Sequence, residues 1–176
     1  MKLSDAQRKY LVHDQIIGGA LVNGVINGLL GWLTFRKHPI VPITGDPSIV
    51  NDVIATSVAL PLFICLIATP LVRKAVAAGK TQALVEPSPE RTMILWLPAH
   101  SLLRGIVLAV AALATGAPLL LGALWMFGVQ GMSVGAFATL KFFYAGILAG
   151  LVSPIVALYA MATPQPLKAA AALREA

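Results

Sequence analysis

Four stretches of this chain contain no Asp, Glu, Lys or Arg: 15–35, 53–72, 105–140 and 142–167. Each reaches the roughly 20 residues that a helix needs to cross the hydrocarbon core of a bilayer. Because lipid offers the backbone no hydrogen-bond partners, an apolar stretch of that length is expected to be helical. Only 11% of the residues are charged and the mean hydropathy is +0.84, whereas a soluble chain carries about 25% charged residues. The expected fold is an all-α integral membrane protein. Four transmembrane helices would form an antiparallel up-down bundle, as a single domain over 1–176.

Capping signals set the expected boundaries. Ser4-Asp5-Ala6-Gln7 has the form of a capping box and starts a first helix over about 5–35. At about 1.5 Å per residue that helix is longer than the ~30 Å core, so its first turns stand in or beyond the headgroups. Asp46 followed by Pro47 reads as the N-cap and first position of a second helix over about 47–78, which Gly79 ends. Ser88-Pro89 is a similar start signal, but Pro98 breaks what would otherwise be too long a span. The segment 89–97 is therefore read as interfacial and about 99–127 as the third span. Ser133 caps a fourth helix that ends near Met161, and 162–176 forms a short cytoplasmic tail.

Composition excludes several chemistries. Cys65 is the only cysteine and lies inside an uncharged stretch, so there is no intrachain disulfide, thiol relay or paired-cysteine metal site. No zinc-protease, nucleophile-elbow or phosphate-loop motif occurs, and no metal set or catalytic residue is expected. The net charge of +6 fits basic residues beside anionic lipid and not nucleic-acid binding. The apolar run ending at Phe35 exceeds a signal-peptide core and lacks a small-x-small cleavage site, so it is read as a retained span.

The basic residues also predict direction. With the N-terminus inside, Lys2, Arg8, Lys9, Arg73, Lys74, Lys80, Arg91, Arg104, Lys168 and Arg174 are cytoplasmic, against Arg36 and Lys37 outside. The bias puts both termini in the cytoplasm, in the plasma or inner membrane.

Polar residues within the spans are the candidate functional groups. On helix one, Asn23 and Asn27 share a face with His13, Gly24, Gly28 and Gly31. The asparagines either hydrogen-bond to neighbouring helices or line a path. Ser57, Pro61, Cys65, Thr69 and Arg73 recur every four residues on helix two, so Ser57 and Thr69 are further path candidates. Pro61 and Pro70 on that helix mark a kink or a hinge. Aligned by depth, His13, Asp14, Arg73, His100 and Arg104 gather near the inner boundary. Asp14 could there pair with Arg104 or Arg73, as a headgroup belt or a cytoplasmic mouth. At the outer side Lys141 is expected to snorkel or to pair with Asp52.

Small residues mark packing seams: Gly24 and Gly28, Gly105 and Gly116, Gly146 and Gly150. Their number exceeds what one four-helix chain needs, which points to a homo-oligomer or a larger membrane complex. The leading expectation is a homo-oligomeric channel or transporter for an ion or small solute, and not an enzyme. The alternative is a non-catalytic accessory subunit. A third reading is a b-type haem held by His13 and His100; no other cofactor is expected.

Overall fold

The computed structural model describes residues 3–84 and 94–163. Four helices run over Asp5–Phe35 (α1), Ile49–Ala77 (α2), Ser101–Met126 (α3) and Val134–Ala162 (α4), each long and apolar enough to cross a membrane. Two short strands, Val41–Pro42 (β1) and Gly131–Met132 (β2), join the α1–α2 and α3–α4 connections.

The helix ends follow from local chemistry. Ser4 Oγ accepts from the Gln7 backbone N–H at 3.3 Å, and the Gln7 side chain accepts from the Ser4 N–H at 2.9 Å, completing the expected capping box. Gln7 Nε2 also donates to the carbonyls of Gln82 and Ala83, which ties the chain leaving α2 to the start of α1. Both α2 and α3 stop at a glycine in the left-handed region, Gly79 at φ +71° and Gly128 at φ +65°. After α2, the N–H of Lys80 reaches Ala75 O and that of Gly79 reaches Val76 O. After α3, Val129 reaches Leu124 O and Gly128 reaches Trp125 O. Each is the paired Schellman closure that satisfies otherwise orphaned carbonyls.

The start of α2 corrects the expected boundary. Ser48, not Asp46, is the N-cap: its backbone is extended at φ −147° and ψ 164°, and its Oγ accepts from the Asn51 N–H. Asp46 and Pro47, joined by a cis peptide bond, belong to the preceding connection. Ser133 caps α4 as expected, accepting from the Ala136 N–H. Of the interfacial segment expected over 89–97, residues 89–93 lie outside the described residues, as does the tail beyond Thr163; Leu97 N–H closes a turn onto Ile94 O.

Within α1, Tyr10–Gly18 is wound as a π-helix, which periodicity did not anticipate. The winding ends at two glycines. A Cβ on Gly18 would stand 3.2 Å from the His13 carbonyl, and one on Gly19 would stand 3.0 Å from Ser153 Oγ.

The four helices alternate in direction, but sequence neighbours are not always packing neighbours. Helix α4 lies at the centre, with α1 against one side and α2 against another, while α3 packs chiefly on α2. The most apolar window of α4 is 67% buried, against 17% for α1 and 22% for α3. Leucines, isoleucines and valines on the outer faces of α1 and α3 stay exposed, a surface suited to hydrocarbon.

The α1–α4 contact is antiparallel and built on missing side chains. A Cβ on Gly24 would meet Phe142 O at 3.0 Å, one on Gly28 would meet Ala138 O at 3.1 Å, and one on Gly146 would meet Ala20 O at 3.2 Å. Gly150 makes only ordinary contact with Ala20. A Cβ on Gly105 of α3 would stand 3.1 Å from Leu62 Cα of α2. Gly116 serves differently, clearing the Tyr144 hydroxyl instead of a neighbouring backbone. The expected seams are thus used inside one chain, so their number no longer argues for several copies.

At one end β1 and β2 pair antiparallel, with Val41 opposite Met132 and Pro42 opposite Gly131. Phe35, Val41, Ile49, Val53, Ala117 and Phe137 pack beneath them. We call this the strand end. The opposite end, where α2 finishes and α3 starts, is the arginine end.

Candidate functional site

The buried polar groups are strung along the faces of α2 that meet α4 and α3. At the strand end Lys141 Nζ lies 2.5 Å from Asp52 Oδ1, with the two side chains 9% and 15% exposed. Gly31 makes room for this lysine, since a Cβ there would meet Lys141 Cδ at 2.9 Å. Asp52 stands in the first turn of α2, where the helix dipole also favours a carboxylate. The cleft beside the pair, walled by Val53, Leu120, Phe137 and Leu140, is too narrow to admit water.

Ser57 follows, five residues along α2. Its hydroxyl donates to Val53 O at 2.6 Å, and its oxygen is also 2.6 Å from Tyr144 Oη. A serine hydroxyl carries a single proton, so Tyr144 is the donor in the second bond.

The arginine end holds a wholly buried guanidinium. Arg104 has 0% exposure. Its Nη2 donates to Thr69 Oγ1 at 2.7 Å and to Ser101 Oγ at 3.2 Å, and its Nη1 donates to the carbonyls of Pro98 and Ala99. The Tyr159 ring lies 4.0 Å from Arg104 Cζ, a close cation–π contact. Thr69 relays this network by donating to Cys65 O at 2.6 Å. One turn further along α2, Arg73 Nη2 donates to Thr163 Oγ1 at 3.2 Å. The Nε of both arginines is buried without a partner.

This arrangement departs from the expected inner cluster. Among the described residues Arg104 has no carboxylate partner, and neither does Arg73; the pairing with Asp14 does not form. The physical reason is helix order. Asp14 and His13 are exposed on α1, which packs on α4, while Arg104 points into the α2–α3–α4 junction. His100 is also exposed, as the N-cap of α3. Because α1 and α3 share no substantial interface, His13 and His100 are not brought together as a haem pair.

The asparagine amides do not make the expected bonds to a neighbouring helix. Asn23 Nδ2 donates to Gly19 O at 2.8 Å and Asn27 Nδ2 to Asn23 O at 2.9 Å, each returning to its own helix. Ser57 and Thr69 are fully buried in interhelical contacts. Their hydroxyls bond the carbonyls of Val53 and Cys65, not those of Ser57 and Leu66 that Pro61 and Pro70 leave free.

Sequence reasoning missed Tyr144, Tyr159 and Thr163, which supply the α4 side of the polar line. A signal was present: a tyrosine buried in an apolar helix needs a partner for its hydroxyl or a use for its ring. Comparisons with protein families, curated proteins and solved structures return no match.

Proposed function

We propose that this protein is an integral membrane translocator for an ion or small solute, with its path along the contact of α2 with α4. The observation that carries the reading is the succession of buried and partly buried polar groups from one end of α2 to the other: Asp52–Lys141, Ser57–Tyr144, Thr69–Arg104 and Arg73–Thr163. Ionisable groups within a span are expensive to bury and by default mark function. The conformation described is the closed one, since these groups bond one another. Opening would separate α2 from α4, and Pro61 and Pro70 weaken α2 where bending is needed. Asn23 and Asn27 have no part in this path.

In the same proposal both termini face the cytoplasm of a plasma or inner membrane, and the exposed flanks of α1 and α3 carry contacts between copies in a homo-oligomer. The rival reading, an accessory subunit of a larger membrane complex, draws on one observation: the intrahelical return of both asparagine amides leaves the exposed face of α1 between Ile16 and Leu33 apolar.

The test is reconstitution of the purified protein into liposomes, followed by stopped-flow light scattering after osmotic jumps with potassium chloride, potassium phosphate and glycerol. Faster relaxation than empty liposomes for at least one solute, slowed by Ser57→Leu, supports translocation. Relaxation equal to empty liposomes for all three, with foreign subunits co-purifying in mild detergent, favours the accessory role.

A further inference from the structure

The chain leaving α2 does not swing free of the bundle. Gly79, at φ +71°, turns it, and the Lys80 N–H closes onto Ala75 O, so residues 80–84 start as an extension of the end of α2. They are then tied to two other helices. Gln7 Nε2 of α1 donates to Gln82 O at 3.2 Å and to Ala83 O at 3.3 Å, and the Leu84 N–H donates to Met161 O of α4 at 2.9 Å. Leu84 also packs on the apolar cluster that holds Leu11, Val72 and Met161. Residues 80–84 thus strap α2 to α1 and α4.

Two bodies meet at this strap. Helices α1 and α4 pack closely along their glycine seam and form one; the end of α2, with the strap rooted on it, forms the other. The three strap bonds and the bond from Arg73 to Thr163 all run between the two bodies. Parting α2 from α4 at the arginine end must therefore break the strap.

The strap is lightly held. Both Gln7 bonds stand at or beyond the long end of the usual range for N–H to oxygen. Thr81, inside the strap, is only 3% exposed, yet its hydroxyl has no partner, and neither has Arg73 Nε. Polar atoms buried unpaired are costly, and release returns them to water. Helix α1 can also give at this end. Its π-wound stretch Tyr10–Gly18 lies between two fixed points, Gln7 on the strap and Gly19, where a Cβ would stand 3.0 Å from Ser153 Oγ. Such winding is rare and recurs at functional sites; because it has more residues per turn than an α-helix, rewinding as α would turn Gln7 about the helix axis and off the strap.

We infer that residues 80–84 are a releasable strap: pinned by Gln7 and Met161 they hold the arginine end shut, and their release lets α2 part from α4. What release admits rests on the translocation reading; the strap itself does not, because its opening is measured with no flux.

The experiment uses the full chain carrying Cys65→Ser and Thr81→Cys, so that its single thiol reports on the strap. The protein is labelled with a water-soluble maleimide in neutral detergent, well below each variant's own unfolding midpoint. Gln7→Glu keeps an oxygen for the Ser4 N–H, so the capping box survives, but has no donor for the carbonyls of Gln82 and Ala83. Leu84→Pro removes the other anchor, the N–H that reaches Met161 O, without touching α1. Each substitution should speed labelling by about tenfold or more, as local opening does; Gln82→Ala, which leaves its carbonyl in place, should not. If one of the two variants does not fold, the other decides. No acceleration, or an equal one in Gln82→Ala, overturns the strap. In liposomes the same two substitutions should quicken solute relaxation beyond wild type. Faster labelling with no flux from any variant, wild type included, keeps the strap and defeats translocation. Faster labelling with flux held at a measurable wild-type rate overturns the strap's part in opening.

Discussion

The two ends of the bundle bury a cation in opposite ways. At the strand end Lys141 has a carboxylate 2.5 Å away, placed at the favourable end of the α2 dipole. At the arginine end Arg104 is more deeply enclosed, yet its described partners are two hydroxyls, two carbonyls and the face of a tyrosine. Among the described residues only the first of these cations has a carboxylate partner. A buried ion pair needs only its own geometry to persist. A cation buried among neutral dipoles relies on hydrogen bonds and a ring face instead.

The contrast can be broken most directly at the strand end. Replacing Asp52 by Ala strands Lys141 in a largely buried position, and removing one member of such a pair costs about 3–5 kcal/mol. The expected outcome is a large drop in the unfolding midpoint in detergent, mostly recovered when Lys141→Met is added. Recovery would show that the pair is a structural closure. Failure to recover would mean that Lys141 has other partners.

A steric test is next in size. Gly28→Leu puts a branched side chain where a Cβ already lies 3.1 Å from the Ala138 carbonyl, and overpacking of this kind costs about 1–3 kcal/mol. The loss should appear as lower thermal stability with native mass unchanged, since the contact lies within one chain. A change of mass at equal stability would move the glycine face to an interface between copies.

The arginine end is probed through its aromatic roof. Tyr159→Leu removes the ring over Arg104, where a desolvated cation–π contact is worth about 2 kcal/mol. Tyr159→Phe keeps the ring and should stay close to wild type in the same unfolding assay. If both substitutions cost the same, the hydroxyl and not the ring supports Arg104, and the contrast between the ends weakens.

The smallest effect is expected between the two ends. Changing Asn23 and Asn27 together to Leu removes two amides that bond only the carbonyl one turn back on their own helix. Such local bonds add little to a helix whose backbone is already paired. Stability should move by about 0.5 kcal/mol or less, read as the unfolding midpoint of the double variant. A larger loss would show that these amides reach another helix.

Some of this was legible because it is local. The Ser4–Gln7 box, the Gly79 stop and the Ser133 cap each depend on residues within a few positions, and the structure places them as the residues imply. Asp46-Pro47 misled because the chain turns into the helix two residues later. The choice went to Ser48, whose extended backbone aims its hydroxyl at the Asn51 N–H. Glycine spacing revealed that seams exist, since a missing side chain permits close approach whichever helix arrives. It did not reveal that Gly24 and Gly28 meet the same helix that carries Gly146.

Four long apolar helices were determined by the chain alone, because the run of uncharged residues and the obligation to pair every backbone group in an apolar setting act on each segment separately. Which helix lies at the centre was decided only by tertiary packing. So was the choice of partner for each buried charge. Aligning residues by depth could bring Asp14 level with Arg104, but level is not contact: with α4 between α1 and the remaining helices, Arg104 turns toward Thr69 and Tyr159, and Lys141 toward Asp52. Side-chain pairing depends on azimuth and neighbour order, and both are properties of the whole bundle.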